Sequence, residues 1–239
     1  PLPADRAKAM ALMDEALAIS SELGMRPLME RVLARKLKIQ GVSSVDIKTS
    51  IDTVASMVER EQPDLRPHAA PDGTVTILFS DIEGSTTMTE RLGDRRMQEV
   101  LRAHNAIIRR QAGAHGGFEV KSVGDGFMLA FSCARRGLEC AIAIQRAFAL
   151  YNKEHRKEPV LVRIGLHTGE AIKEADDFFG KNVILASRIA GQAQGGQILV
   201  SSLLKELTES AGDIQFAEEK EVELKGLAGV HRVYQVLWR

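Results

Sequence analysis

Residues 74–88 read TVTILFSDIEGSTTM, an apolar run that ends on Asp81 and continues into a cluster of hydroxyl residues. A short apolar run bounded by turn residues predicts a buried β-strand. The glycine and hydroxyl residues from Gly84 onward predict the start of a helix. The first amides of a helix are unpaired and carry a partial positive charge, so they favour anions. This junction therefore predicts a place where a carboxylate, a cation and a phosphate could meet.

Composition excludes several classes of function. The 239 residues contain 32 basic and 32 acidic side chains and only 5% aromatic residues, so neither a basic nucleic-acid surface nor a base-stacking platform is expected. No apolar run reaches 18 residues, so no membrane segment is expected. Cys133 and Cys140 are expected to be buried free thiols in a reducing cytoplasm. The first residue is Pro1 rather than Met, which suggests a piece of a longer protein whose upstream regulatory region is missing.

Residues 1–62 have a helical pattern and are predicted to form the end of a helical-repeat regulatory region followed by a linker helix. Within them, Ile47, Ile51, Val54 and Val58 recur at spacings of three and four. Such a stripe fits either a short coiled-coil seam or an ordinary surface helix. Residues 63–73 contain three prolines and a glycine, so they predict a linker to a second domain at residues 74–239.

Strands and helices alternate through residues 74–239. The pattern predicts an α+β fold with a ferredoxin-like β-α-β-β-α-β core and extra C-terminal strands. Thr87 and Glu90 have the spacing of a capping box, and they predict one long helix that ends near Ala114. The tripeptide Gly-Asp-Gly around Asp125 predicts a tight hairpin between the second and third strands.

In this order of elements, the first strand can lie beside the hairpin, which would bring Asp81 and Asp125 together. Two carboxylates combined with water and phosphate oxygens suit Mg²⁺ or Mn²⁺. An isolated Asp in such a turn is more often explained by backbone preference, and the second acid is what favours a metal site.

Four motifs carry a resemblance to a known family: FSDIEGST, VKSVGDGFMLAF, VRIGLHTGEA, and DDFFGKNVILASRIA followed by GGQILVS. In order and spacing, residues 72–239 resemble the catalytic domains of class III nucleotide cyclases. The resemblance implies an adenylyl cyclase, a lyase that converts ATP to 3′,5′-cyclic AMP and pyrophosphate in signal transduction. It also implies a homodimer whose two sites each combine residues of both copies.

The resemblance also implies roles for individual residues. Asp81, Asp125 and the carbonyl of Ile82 would hold two Mg²⁺ or Mn²⁺ ions, and the amides of the following loop would hold the triphosphate. Lys121 and Asp177 would select adenine, because an ammonium can donate to the ring and a carboxylate can accept from the exocyclic amine. The backbone amides that would hold the triphosphate belong to Ile82, Glu83, Gly84, Ser85 and Thr86. Arg188 would stabilise the transition state, while Arg163 and Lys225 would hold the β- and γ-phosphates.

One position departs from the family pattern. The family usually has an Asn four residues before the transition-state arginine, where this chain has Ile184. Asn182 lies two residues away and on a different side of the helix, so it cannot simply replace that Asn. The alternative is therefore a low-activity or inactive nucleotide-binding regulatory module, and a guanylyl cyclase is a lesser alternative. His167 is expected to be structural rather than catalytic.

Overall fold

A seven-stranded sheet carries two layers of helices. The computed structural model describes residue 12, residues 49–170 and residues 178–239. Apart from residue 12, the helical pattern predicted before residue 49, which includes Ile47, lies outside the described residues. Residues Thr49–Arg239 form a single compact unit. Its helices are α1 Ser50–Glu61, α2 Ser85–Leu92, α3 Asp94–Ala114, α4 Ala134–Glu154, α5 Phe178–Gln192 and α6 Ser202–Glu209. Its strands are β1 Thr74–Ile82, β2 Phe118–Val123, β3 Gly126–Phe131, β4 Val162–Glu170, β5 Ile198–Ser201, β6 Gln215–Glu223 and β7 Val230–Leu237.

The sheet has the strand order β2-β3-β1-β4-β5-β7-β6. The first four strands in this order, with α3 and α4 as crossover helices, form the predicted ferredoxin-like core. The pairs of β1 with β3 and with β4 are antiparallel, whereas β4 and β5 are parallel. Strands β5, β7 and β6 extend the sheet beyond β4. The predicted α+β fold with extra C-terminal strands is therefore confirmed.

Helices α3 and α4 cover one face of the sheet, which we call the α3–α4 face. Leu78 and Ile82 of β1 pack there, and both are buried. Side chains of a strand alternate between the two faces, so residues at even positions of β1 share this side. The apolar stripes of α3 and α4 complete the cluster with Val100, Ile108, Leu138, Ile144 and Phe148. This face is the larger part of the core.

Helices α1 and α5 cover the opposite face, which we call the α1–α5 face. Ile77 and Phe79 of β1 are buried there, in contact with the apolar stripes of the two helices. Helix α5 lies directly against β4 at Gly165, where a Cβ atom would stand 2.2 Å from the amide nitrogen of Ala190. Only glycine allows this approach, so Gly165 fixes the position of α5 on the sheet.

Helix α1 is the ordinary surface helix of the two alternatives for its apolar stripe. Ile51, Val54 and Val58 are at most 1% exposed and pack on the sheet of the same chain, whereas residues 59–61 are exposed. The predicted linker at residues 63–73 contains a short 3-10 helix, Arg66–His68. It does not separate α1 from the sheet, because both belong to the same unit.

Two local predictions are wrong. The long helix predicted to reach Ala114 is two helices, because Gly93 has a φ of 76° that an α-helix cannot continue through. Gly84, rather than Thr87, is the N-cap of the first of them. Cys133 is exposed, since it precedes α4 as its N-cap, whereas Cys140 is buried as predicted.

Across the part of the chain that the structure describes, no helix is long and apolar enough to span a membrane.

Candidate active site

Asp81 and Asp125 lie side by side at the ends of neighbouring strands. The backbone amide of Ile82 donates to Oδ2 of Asp125 at 3.0 Å, which ties the hairpin tip to the end of β1. The two acids are only 2% and 5% exposed. Burying carboxylates in this way is costly unless hydrogen bonds or cations compensate their charge. The predicted juxtaposition of the two acids is therefore present in the fold.

Arg163 supplies a positive charge to this pair. It lies directly opposite Asp81 in the β1–β4 ladder. Its Nε and Nη2 atoms donate to the two carboxylate oxygens of Asp81 at 2.8 and 2.6 Å. Burial raises the pKa of Asp81 to about 6, against the lowering effect of Arg163, and the negative charge of Asp125 adds to the rise. A dication would relieve the same unfavourable burial of charge.

The donor chemistry at this position fits a hard divalent cation. The side chains consist of two adjacent carboxylates, and Mg²⁺ or Mn²⁺ prefers oxygen ligands. Among residues 49–170 and 178–239, no three or more His, Cys, Asp or Glu side chains gather as a metal cage. Mg²⁺ commonly uses one or two carboxylates and completes its shell with water and phosphate oxygens. Asp81 and Asp125 would therefore hold the ion together with a substrate.

The first two amides of the loop after β1 have partners within the protein. The amide of Ile82 donates to Asp125, and the amide of Glu83 donates to the carbonyl of Leu161 at 2.8 Å. Gly84 then adopts a φ of 66° and begins α2, whose first turn includes Ser85 and Thr86. The amides from Gly84 onward belong to a helix start, where an anion is favoured. The cradle formed by the amides of residues 82–86 stays a prediction.

Lys121 points to the α1–α5 face. It is opposite Met128, whose side chain packs on that face. Its ammonium nitrogen lies 2.7 and 2.8 Å from the two carboxylate oxygens of Glu61, near the end of α1. Asp177, its predicted partner in selecting adenine, lies outside the described residues.

Arg188 lies on α5 and reaches across to α1. One guanidinium nitrogen donates to the carboxylate of Asp52, and Nε donates to the backbone carbonyl of Lys225 at 3.0 Å. The structure thus brings Arg188 close to the backbone of the segment that contains Lys225. The side chain of Lys225 is exposed.

His167 and Asn182 form a structural network beside these groups. Nδ1 of His167 shares a hydrogen bond with the hydroxyl of Ser201 at 2.9 Å, and Nε2 shares one with the amide oxygen of Asn182 at 3.1 Å. Asn182 also donates to the carbonyl of Glu170 at 3.0 Å. Burial lowers the pKa of His167. These bonds occupy Asn182, so it does not take over the position of Ile184.

Three further residues belong to the site, and sequence reasoning missed them. Ser50, Asp52 and Glu61 of α1 contact Asp125, Arg188 and Lys121 respectively. The sequence gives only one relevant signal, the capping box of Thr49 and Asp52, which marks the start of α1. That signal says nothing about the distant residues with which α1 pairs.

Comparisons with known proteins agree with this geometry. Residues 68–237 match the family described as the adenylate and guanylate cyclase catalytic domain. An adenylate cyclase of Podospora anserina is 33% identical over 218 residues, which are 75% of this chain and 10% of that protein. The chain therefore spans a small part of the length of the curated relatives it matches.

Solved structures show the same fold. The adenylyl cyclase CyaB from P. aeruginosa superposes with a TM-score of 0.60 at 25% identity and covers 69% of this chain and 93% of its own. The guanylyl cyclase Cya2 also gives a TM-score of 0.60, at 27% identity, covering 68% of this chain and 91% of its own. A protein named adenylyl cyclase and a protein named guanylyl cyclase therefore share this architecture.

Proposed function

Because the chain belongs to the adenylate and guanylate cyclase catalytic domain family, we propose that it converts ATP to 3′,5′-cyclic AMP and pyrophosphate. The observation that carries the proposal is the pair of buried acids, Asp81 and Asp125, at the ends of adjacent strands. Lys121 and Arg188 on the same side of the sheet support ATP as the substrate. The 33% identical relative named adenylate cyclase supports the same choice.

The reaction is an internal displacement. The ribose 3′-oxygen attacks the α-phosphorus and forms a new P–O bond, while the bond from the α-phosphorus to the oxygen bridging to the β-phosphate breaks. Pyrophosphate leaves with that electron pair, and the 3′-hydroxyl proton passes to water or phosphate. Because the attack is intramolecular, most of the rate depends on holding ATP in the attacking conformation.

The charged side chains have separate roles in this reaction. Arg188 presents a planar guanidinium suited to the charge that develops around the α-phosphate. Arg163 and Lys225 would neutralise the β- and γ-phosphates, and the first turn of α2 would add backbone donors. Asp81, Asp125 and the Ile82 carbonyl would hold two Mg²⁺ or Mn²⁺ ions, which when bound lower the pKa of the attacking hydroxyl and offset charge on the leaving group.

Arg163 would have two partners during the cycle. In the structure it is bidentate to Asp81. The same guanidinium would serve the phosphates of a bound triphosphate, and Asp81 would then hold a dication, whose positive charge would take the place of that of Arg163. The buried carboxylate would thus keep a compensating positive charge.

The proposed assembly is a homodimer with two composite sites. Asp81 and Asp125 of one copy would face Lys121, Asp177 and Arg188 of the other. Each chain carries both sets, so a two-fold arrangement would complete two equivalent sites. Of these residues, the described ones lie on or beside the α1–α5 face.

A complementation assay tests the proposal. Asp81→Ala and Arg188→Ala proteins should each be inactive with ATP and Mn²⁺, because every site lacks one essential group. After subunit exchange, the mixture should recover about a quarter of wild-type turnover, since half of the dimers are mixed and each has one intact site. Cyclic AMP formation is the measurement, with GTP assayed in parallel.

The matched control is a mixture of Asp81→Ala with Asp125→Ala. Both changes affect the same half of the composite site, so no mixed dimer has an intact site and no recovery is expected. If the first mixture stays inactive despite demonstrated exchange, the shared site is wrong. If the wild type binds ATP without turnover, the regulatory nucleotide-binding module is favoured, as the presence of Ile184 would suggest. Formation of cyclic GMP alone would favour a guanylyl cyclase, the activity named for Cya2.

A further inference from the structure

Helix α1 is packed onto the face that the proposed reaction needs. Its apolar stripe, Ile51, Val54 and Val58, is essentially inaccessible to solvent and lies in the same cluster as Phe79 and Met128 of the sheet. At Gly126, next to Asp125, a Cβ atom would stand 2.8 Å from the carbonyl oxygen of Ser50. The helix is therefore in direct contact with the hairpin that carries one of the two acids.

The polar residues of α1 engage three of the site residues. The hydroxyl of Ser50 donates to Oδ1 of Asp125. The carboxylate of Asp52 accepts from the guanidinium of Arg188. The carboxylate of Glu61 accepts from the ammonium of Lys121 at 2.7 Å. These contacts occur at both ends of α1, so the helix spans the site from the metal acid to the proposed adenine contact.

The chemistry of these contacts opposes substrate binding. Arg188 and Lys121 are the cations that would meet the α-phosphate and the adenine, and each is paired with a carboxylate of α1 instead. A nucleotide and a second copy of the chain would both have to displace these pairs. The arrangement competes with ATP as well as with the partner subunit.

We propose that α1 is an intramolecular inhibitor that covers the dimer and nucleotide surface, so that its release precedes assembly of the composite sites. The inference rests on the proposed function, and it assigns α1 an inhibitory effect on that function. The covered surface is the one to which a second copy of this chain would bind.

The test uses the full chain with Asp52→Asn and Glu61→Gln combined. The Asn side chain keeps an oxygen that can still accept from the Thr49 amide, so the helix cap is preserved while the negative charge that faces Arg188 is lost. Sedimentation velocity over a concentration series should show a dimer dissociation constant at least tenfold lower than in the wild type. Cyclic AMP formation at a fixed, low protein concentration should rise by a similar factor.

The matched control is Glu59→Gln. Glu59 lies on the same helix, is exposed, and pairs with none of the described site residues, so the control removes one charge without touching Arg188 or Lys121. It should leave both the dimer constant and the turnover at wild-type values. Equal effects of the control and the double variant would overturn the inference.

Hydrogen–deuterium exchange of residues 50–61 gives an independent readout. In the double variant these amides should exchange at least tenfold faster, while amides of β1 and β3 keep their protection. Gly126→Ala should give the same local result, because the new methyl group would collide with Ser50. Unchanged exchange together with an unchanged dimer constant would refute inhibition by α1. If neither protein forms a cyclic nucleotide, the proposed activity fails, and the dimer constant alone decides the inference.

Discussion

The two faces of the sheet differ in what their residues do. On the α3–α4 face, Leu78, Phe127 and Ile144 are inaccessible to solvent and join helices to strands through apolar contacts. On the α1–α5 face, the same strands present Asp81 and Arg163 among the apolar residues. Because side chains alternate along each strand, one strand can supply packing on one face and chemistry on the other. Substitutions should therefore separate into effects on stability and effects on turnover.

The largest expected effect lies on the α3–α4 face. Replacing Phe148 with Ala should lower the free energy of unfolding by about 3–5 kcal/mol, because Phe148 is 2% exposed and its loss leaves a cavity between α3 and α4. Urea unfolding followed by circular dichroism measures the change. The KM for ATP of the folded variant should stay at the wild-type value, since Phe148 contacts none of the proposed site residues that the structure describes.

Leu150 provides the matched control for that experiment. It lies on the same helix but is 63% exposed, so Leu150→Ala should change stability by less than about 0.5 kcal/mol. A folded Phe148→Ala protein with a strongly altered KM for ATP would contradict the claim that the α3–α4 face affects stability and the α1–α5 face affects turnover. A loss of stability as small as that of Leu150→Ala would show that α4 does not anchor this core.

The next effect belongs to the α1–α5 face. Changing Ile184 to Asn should raise turnover by on the order of 10²–10³-fold, because it restores a polar group that can orient the ribose in the transition state, a contact worth roughly 2–4 kcal/mol. Steady-state formation of cyclic AMP measures it. Ile184 is only half-buried, so the substitution should leave the midpoint of unfolding nearly unchanged.

Ile184→Leu is the control, because it keeps an apolar side chain of the same volume and should leave turnover unchanged. A rise in turnover with Leu as well as Asn would indicate an effect on packing rather than on the ribose. Lower turnover in a folded Ile184→Asn protein would show that another residue already takes the orienting role.

The sequence predicted the parts of the molecule that depend on local patterns. The apolar run of β1, the hairpin around Asp125 and the juxtaposition of Asp81 with Asp125 are all present. The contacts of α1 could not be predicted, because Ser50 with Asp125, Asp52 with Arg188 and Glu61 with Lys121 are separated by 75, 136 and 60 residues. No local spacing encodes such pairs; they arise from the packing of α1 on the sheet.

The two mistaken local predictions have a similar origin. Thr87 and Glu90 have the spacing of a capping box, but the chain already enters the helix at Gly84, and Gly93 then interrupts it. Cys133 is expected to be buried, but it lies one position before α4 begins and is exposed there. Boundaries of elements depend on single backbone angles, which composition and periodicity do not specify.

The smallest expected effect tests whether the α3–α4 face is purely structural, since it also holds a titratable residue. His104 of α3 is inaccessible to solvent between Phe127 and Phe148, and burial lowers its pKa. The unfolded chain therefore binds a proton below about pH 6.5 that the folded chain does not bind, and stability falls as the pH falls through that value. From pH 7.5 to 5.5 the loss should be on the order of 1 kcal/mol.

Urea unfolding of the wild type and of His104→Gln at the two pH values isolates this contribution, because other groups, including Asp81 with its raised pKa, contribute equally to both proteins. The wild type should lose on the order of 1 kcal/mol more than the variant. His115→Gln, on the half-buried end of the same helix, should keep the full wild-type loss. Equal losses in His104→Gln and the wild type would mean that His104 takes up a proton in the folded state, and the α3–α4 face would then tolerate a buried charge as the α1–α5 face does.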